Sequence, residues 1–106
     1  MRIDIITLFP DIALSPLSDS IIKRAREQGI VDIHAHQLRD WAAGKHRKTD
    51  DYLCGGGQGM LLMPEPVFKA VEELKNDHTR VILMTPQGKP FQQADAQRLS
   101  TSEHLI

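Results

Sequence analysis

The sequence predicts an α/β domain with a parallel sheet and flanking helices, and three observations support this. Short β-branched segments alternate with amphipathic helical segments at the spacing of strand–helix–strand units. The first segment, residues 2–9, is almost continuously apolar, as expected for a strand that is covered on both faces. Proline or glycine follows several of these segments and would end each of them sharply.

The first half of the chain divides into a strand, two helices and a second strand. Pro10 ends the strand at residues 2–9, and residues 11–17 are predicted as a short helical turn. Ser18 or Asp19 caps the next helix, which ends before Gly29 as the expected left-handed residue. The apolar stripe of this helix is predicted to consist of Ile21, Ile22 and Ala25.

The second half begins with a segment that has no periodicity. A long irregular loop is predicted at about residues 39–59, and its length indicates function or mobility. The second strand of the first half, at 30–38, precedes this loop. After the loop, the predicted elements are a helix at 65–76, a strand at 80–84, a helix at 92–99 and the onset of a strand at 104–106. Val67, Phe68, Val71 and Leu74 form the predicted apolar stripe of the 65–76 helix. Because the chain stops inside an apolar strand, we expect it to be incomplete at its C-terminus.

Composition narrows the functional classes. Lys and Arg number 13 and Asp and Glu 14, a net charge of -1, so RNA binding would require a local basic cluster. The single cysteine, Cys54, cannot form an internal disulfide, which fits a reducing compartment. No apolar run approaches the roughly 18–20 residues of a membrane span. These features predict a soluble cytoplasmic protein with no membrane partner.

Residues 55–59 form a glycine-rich loop, Gly55-Gly56-Gly57-Gln58-Gly59. Glycine lets backbone N–H groups turn toward a ligand and lets a base or a phosphate approach closely. The loop lacks the Lys-Ser/Thr of a Walker motif and does not follow the first strand, as a dinucleotide fingerprint does. Considered alone, it is equally well explained as a flexible hinge.

Immediately before the glycine loop lies a run of basic and acidic residues, Lys45-His46-Arg47-Lys48-Thr49-Asp50-Asp51. The basic residues can contact a phosphate backbone. The two aspartates can accept hydrogen bonds from a base edge or order the loop against Arg47. A solvated charge cluster is the alternative, and it is the more common meaning of such a run.

Histidines and methionines have simpler explanations. His34 and His36 alternate on one face of a strand, and with His46 they would allow a three-histidine metal site. Packed or exposed histidines are far more common, so no metal is predicted. The methionines Met60, Met63 and Met84 are predicted to fill the core.

The third predicted strand is followed directly by the turn Thr85-Pro86-Gln87-Gly88. Ligands of α/β proteins bind at the carboxyl ends of parallel strands, where loops open a crevice lined by backbone polar groups. Proline fixes one dihedral angle of such a turn, and glycine permits the tight return.

These motifs together resemble the N-terminal part of the bacterial tRNA (guanine-N1)-methyltransferases, knotted enzymes of the SPOUT superfamily that modify guanosine 37. The similarity covers all 106 residues. The segments that carry it are the opening strand from Ile3 to Pro10, Arg39-Asp40, His46-Arg47, Asp50-Asp51, the loop from Gly55 to Met60, and the turn from Thr85 to Gly88.

The resemblance implies methyl transfer from S-adenosylmethionine to N1 of a guanine in tRNA. It implies that Thr85, Pro86, Gln87 and Gly88 line the S-adenosylmethionine pocket. It also implies that the tRNA and its target guanine are handled by His46, Arg47, Asp50, Gly55, Gly56, Gly57 and Gly59. Members of the family act as homodimers whose active sites are shared between subunits.

The resemblance assigns no catalytic residue to this chain. In the family, an aspartate assisted by an arginine removes the N1 proton, and both lie beyond the position that matches Ile106. We therefore expect the chain to be inactive alone. One departure is Leu53-Cys54, where the family has a proline and an aromatic residue; a lost stacking surface would weaken RNA binding. A non-catalytic module that binds RNA or phosphate remains the alternative function.

Overall fold

The computed structural model describes residues 1–106 and has the predicted α/β architecture, a parallel sheet with flanking helices. In chain order, its elements are β1 (Arg2–Thr7), α1 (Pro10–Leu14), α2 (Ser20–Glu27), β2 (Asp32–Gln37), β3 (Asp50–Tyr52), β4 (Met60–Leu62), α3 (Pro64–Leu74), β5 (Thr79–Arg80), α4 (Gln93–Leu99) and β6 (His104–Leu105). Short 3-10 turns follow α1 at Ser15–Leu17 and β2 at Leu38–Trp41.

The main sheet has four strands in the order β2-β1-β6-β5. All three neighbouring pairs are parallel, and β6 lies between β1 and β5. Strand β1 pairs with β2 along its whole length, with Ile3 opposite Ile33. Helix α1 packs against β1 and β2, and α3 packs against the Leu38–Trp41 turn and β1. The last strand of the chain is therefore an interior strand of the sheet.

Helix α2 ends at the predicted glycine. Gly29 has a φ of +70°, and its N–H donates to the Arg26 carbonyl over 3.0 Å. The Ile30 N–H donates to the Ala25 carbonyl over 2.9 Å, which completes a glycine-terminated helix end. The predicted apolar stripe is only partly correct, because Ile21 is 75% exposed.

The segment predicted as irregular, 39–59, contains more regular structure than its composition suggests. The Leu38–Trp41 turn enters it, and β3 pairs with β4 as an antiparallel hairpin. The hairpin extends by one further bond, from the Met63 N–H to the Thr49 carbonyl at 2.8 Å. A three-residue strand beside four glycines has too short a pattern to be recognised in sequence.

The strand predicted at 80–84 is shorter than expected. Only Thr79 and Arg80 form β5, and the last inter-strand bond runs from the Ile82 N–H to the Ile106 carbonyl at 2.7 Å. Ile106, which bonds to Ile82, is the last residue of the chain, so no residue of β6 faces Leu83 and Met84, which are 77% and 83% exposed.

The core is small and takes its residues from the sheet, from the turn after β2, from α3 and from the end of α4. Its buried apolar residues are Ile33, Leu38, Ala70, Leu99 and Leu105. Helix α3 buries Pro66 and Ala70, whereas Phe68, predicted to face the core, is 68% exposed. The expectation that the methionines fill the core is wrong for Met60 and Met84, which are both exposed. None of the helices is both long enough and apolar enough to cross a membrane.

Candidate functional site

A cleft of about 390 Å³ opens beside the segment that follows β5. The turn at residues 85–88 forms one side of this cleft. The Gly88 N–H donates to the Thr85 carbonyl over 3.1 Å, and the Gln87 N–H donates to the Thr85 hydroxyl over 3.3 Å. A Cβ atom on Gly88 would lie 3.2 Å from the Thr85 carbonyl oxygen. The turn is therefore tight, and glycine suits its fourth position for steric reasons.

Apolar side chains line much of this cleft. They are Val81, Ile82, Leu83, Met84, Phe91 and Leu99. Of the four residues predicted to bind the cofactor, Thr85 and Gly88 line the cleft, whereas Pro86 and Gln87 lie in the turn itself. A mostly apolar cleft with a few polar groups is the usual form of a small-molecule site.

One carboxylate, Asp95, belongs to the cleft wall and was missed by sequence reasoning. Its Oδ1 atom lies 3.1 Å from Lys89 Nζ and 3.3 Å from an Arg98 nitrogen. The Gln92 N–H also donates to this carboxylate, over 3.3 Å. Hydrogen bonds from Lys89, Arg98 and the Gln92 backbone lower the pKa of Asp95 below its usual range. The group is therefore an anion held in place at the start of α4.

The glycine loop closes the β3–β4 hairpin. Gly55, Gly56, Gly57 and Gly59 all have positive φ, and the Gly56 N–H donates to the Leu53 carbonyl over 3.2 Å. The φ of Gly57 is +126°, a conformation that L-residues with side chains rarely adopt. The glycines thus allow a tight, exposed loop whose backbone is open to solvent.

Two basic residues before this loop are already paired. The Arg47 guanidinium donates to the Asp40 carboxylate and to the Arg39 carbonyl, while Lys48 Nζ lies 2.9 Å from Asp51. The prediction that Asp50 or Asp51 orders the loop against Arg47 is therefore wrong, because Asp40 is closer to that side chain.

The pairing also changes the charge that this segment presents. Hydrogen bonds from Lys48 and the Tyr52 backbone N–H lower the pKa of Asp51 below its usual range. The ion pair between Asp51 and Lys48 offsets the positive charge of that lysine. Lys45 makes no ion pair, and both Lys45 and His46 are exposed. Within this segment, Lys45 is therefore the unpaired cation that is available to contact a phosphate.

The two predicted sites do not share a cleft in this chain. The residues around the cleft all come from the range 80–99, and none comes from the β3–β4 hairpin or from the basic segment before it. The predicted cofactor residues and the predicted RNA residues therefore form two separate surfaces.

A polar cluster around Asp4 was not recognised from the sequence. Asp4 is only 1% exposed, and its carboxylate accepts four hydrogen bonds. Arg2 donates through Nε at 2.7 Å and through a terminal nitrogen at 3.0 Å, while His36 Nε2 and His104 Nε2 each lie 2.6 Å from a carboxylate oxygen. The available signal was a single aspartate inside an apolar strand, because such a residue needs partners when it is buried.

The protonation states in this cluster follow from its hydrogen bonds. Burial alone would raise the pKa of Asp4. The hydrogen bonds from Arg2 and from the two imidazoles, with the charge of Arg2, outweigh burial and hold this pKa well below its usual range. An ionised carboxylate only accepts hydrogen bonds, so Nε2 carries the hydrogen in both His36 and His104.

The three-histidine arrangement does not form. His34 and His36 share one face of β2, with ring centroids 6.4 Å apart, as the alternation predicts. Their Nε2 atoms instead contact carboxylates, that of His34 at 2.8 Å from Asp32 and that of His36 at 2.6 Å from Asp4. His46 is exposed on the segment before the hairpin.

Comparisons with known proteins agree on one family. Residues 1–106 match the sequence profile described as tRNA (Guanine-1)-methyltransferase TrmD. The chain is 51% identical over 107 residues to the tRNA (guanine-N(1)-)-methyltransferase of Staphylococcus epidermidis, 53% over 108 residues to that of Syntrophotalea carbinolica, and 48% over 106 residues to that of Dictyoglomus turgidum. These matches cover 100% of this chain but 43–44% of each relative.

Proposed function

The chain belongs to the tRNA (guanine-1)-methyltransferase family, and from that premise we propose that it forms the N-terminal part of an enzyme that methylates N1 of guanosine 37 in tRNA. The observation that carries the proposal is the match over all 106 residues, at about half identity, to relatives with this named activity. The methyl donor in this proposal is S-adenosylmethionine.

The cleft beside β5 supports a role in binding that donor. S-adenosylmethionine presents a planar adenine and a ribose, and the apolar walls at Val81, Leu83 and Phe91 fit a planar group. The turn formed by Thr85, Pro86, Gln87 and Gly88 lies at the rim of this cleft. The Gln87 and Gly88 N–H groups bond within the turn, so we assign its remaining backbone groups to the ligand. When bound, the donor supplies an electrophilic methyl group on a sulfonium ion. Our proposal assigns to the turn the task of holding and orienting the adenosine part.

The segment around the hairpin is proposed to handle the tRNA. His46 and Lys45 are exposed and unpaired, which suits contact with phosphates. Arg47 and Asp50 flank the same segment, and Gly55, Gly56, Gly57 and Gly59 form an open loop that a nucleobase can approach closely. A guanine that reacts at N1 must leave its base stack, so close access for an exposed base is required.

The remaining parts of the activity are proposed to lie in the rest of the whole enzyme. Guanine N1 carries a proton at neutral pH, and we assign its removal neither to Asp50 nor to Asp51. A homodimer, the trefoil knot of the SPOUT superfamily and a cytoplasmic location, where tRNA is modified, complete the proposal. Because the chain spans under half of its curated relatives' length, the isolated chain is expected to be inactive.

A chimaera tests the proposal directly. Residues 1–106 replace the matching N-terminal part of the Staphylococcus epidermidis relative, and labelled methyl transfer from S-adenosylmethionine to a tRNA transcript is measured. We expect incorporation into a transcript with guanosine at position 37 and none into a matched transcript with adenosine there. A well-folded chimaera that is inactive beside an active parent enzyme would contradict the proposal.

The unpaired charge of Lys45 supports a second candidate, a module that binds RNA or phosphate without catalysis. This alternative predicts salt-dependent binding of the 106-residue chain to tRNA that does not respond to S-adenosylmethionine. Methyl transfer by the chimaera would argue against it.

A further inference from the structure

The four strands of the main sheet are joined by one continuous line of side-chain hydrogen bonds. The line runs from His36 on β2 to Asp4 on β1, to His104 on β6 and to Thr79 on β5. Its order is the order of the strands in the sheet. The last step joins His104 Nδ1 and Thr79 Oγ1 at 2.6 Å. His104 thus uses both ring nitrogens, one toward the centre of the sheet and one toward its edge.

The hydrogen-bond chemistry fixes the direction of each contact. Nε2 of His104 donates to Asp4, so in the neutral ring Nδ1 is left as an acceptor. The Thr79 hydroxyl has one hydrogen and two acceptors within reach, His104 Nδ1 at 2.6 Å and Asn76 Oδ1 at 3.1 Å. The shorter contact, to His104, takes the hydrogen, and the Thr79 oxygen accepts the Asn76 N–H over 2.7 Å. The side chain of His104 is nearly inaccessible to solvent, at 5% exposure, so water competes little for these bonds.

This contact lies where β5 is least supported. Strand β5 has two residues, no neighbour on its outer side and one neighbour, β6, which is equally short. Beyond Thr79 only the bonds at Arg80, Ile82 and Ile106 hold the segment that leads into the turn at residues 85–88. A short edge strand with so few backbone bonds is expected to open easily. The side-chain hydrogen bond at Thr79, the first residue of β5, therefore has a large influence on the position of this strand.

We propose that His104 is a positioning residue that holds β5, and with it the 85–88 turn, in place through the hydroxyl of Thr79. The link to S-adenosylmethionine rests on the proposed function, whereas the effect on β5 does not. His104 itself need not touch a ligand, because it pairs with Thr79 at the start of β5, whereas the turn follows the other end of that strand, and because it is absent from the cleft lining.

Amide hydrogen exchange of the 106-residue chain tests the positioning role without any cofactor. Thr79→Val removes the hydroxyl and keeps the shape, while His104→Gln keeps a donor for Asp4 and removes Nδ1. We expect the Ile82 and Ile106 amides to exchange about two- to tenfold faster in His104→Gln, the effect of losing one hydrogen bond, and at least as much faster in Thr79→Val, which also loses the contacts with Asn76. The double variant should exchange little faster than Thr79→Val alone, because that substitution already removes the His104–Thr79 contact.

Three further measurements separate positioning from a general loss of stability. Thr79→Ser should restore wild-type exchange at Ile82, and His34→Gln, which alters an exposed histidine outside the line, should leave it unchanged. Nitrogen-15 NMR should show the Nε2–H tautomer for His104. Unchanged exchange at Ile82 in both Thr79→Val and His104→Gln would overturn the proposal, as would the opposite tautomer.

The same variants in the chimaera connect the inference to the cofactor. If the turn binds S-adenosylmethionine, Thr79→Val should raise its KM several-fold and leave kcat unchanged. Faster exchange with an unaltered KM would keep the positioning role and remove the cofactor assignment of the turn. The two proposals therefore fail in different experiments.

Discussion

The Oδ2 atom of Asp4 lies 2.6 Å from Nε2 of His104, although the two residues are 100 positions apart in the chain. Both side chains are buried, and the bond joins the first strand of the sheet to the last. Only two residue pairs, Arg2 with His104 and Ile3 with Leu105, align β1 with β6. The side-chain bond therefore supports a backbone pairing that is itself very short.

Asp4→Asn is expected to destabilise the chain substantially. The amide keeps the size of the carboxylate, but its NH₂ group faces donors from Arg2 and an imidazole, so at least one donor loses its acceptor. Breaking a buried, hydrogen-bonded ion pair costs about 3–5 kcal/mol, and we expect about 3 kcal/mol because the Arg2 side chain is half exposed. Urea unfolding measures this difference. Asp32→Asn, at a carboxylate on the surface of β2, is the matched control and should change stability by less than about 1 kcal/mol.

Acid should remove the contribution of Asp4. Its pKa is lowered in the folded chain, so between the folded and the ordinary pKa the unfolded chain binds more protons. The stabilisation is therefore complete above about pH 4, the ordinary range of a carboxyl group, and decreases as the pH falls further. The difference in unfolding free energy between wild type and Asp4→Asn should shrink from pH 5 to pH 2.5. A constant difference over that range would show that Asp4 does not titrate as proposed.

Sequence reasoning predicted the elements that depend on local pattern. The strand at β1, the glycine-terminated end of α2 and the parallel sheet follow from periodicity and from breakers, and the structure confirms them. The Asp4–His104 bond depends instead on two strands that meet only after folding, and no local pattern contains that information. The end of β5 was likewise missed, because four consecutive apolar residues predict a strand whether or not a neighbour exists to pair with them.

In the candidate site, too, the features that depend on local sequence could be predicted and those that depend on the fold could not. The turn at residues 85–88 and the glycine loop could be recognised from the sequence, because proline restricts and glycine widens the range of backbone angles at its own position. The ion pairs of Arg47 and Lys48 could not be recognised in this way. Asp40 and Arg47, for example, come together only because the chain between them folds back. Charge counted along the sequence therefore overestimates the positive charge that a tRNA would meet.

Gly57→Ala should destabilise the hairpin that carries the glycine loop. The φ of Gly57 is +126°, so an alanine there is strained even though its Cβ would meet only Leu53, at 3.5 Å. Strain of this kind costs about 1–3 kcal/mol. Exchange of the Met63 amide, which bonds to Thr49 at the hairpin base, should become faster. Gln58→Ala, in the same loop at a residue without positive φ, should leave this amide unchanged; equal effects of the two substitutions would contradict the strain argument.

Lys45 should contribute more to tRNA binding than Lys48 does. Lys48 is 2.9 Å from Asp51, which offsets its charge, whereas Lys45 makes no ion pair. Each free cation that meets a phosphate contributes about one unit to the slope of log affinity against log salt concentration. Lys45→Ala should therefore lower the slope measured with the 106-residue chain by about one unit, and Lys48→Ala by clearly less. Asp51→Asn should have the opposite effect and steepen the slope, because it releases Lys48 to contact phosphate. Equal slopes for the two lysine variants would show that the Lys48–Asp51 pair opens when tRNA binds.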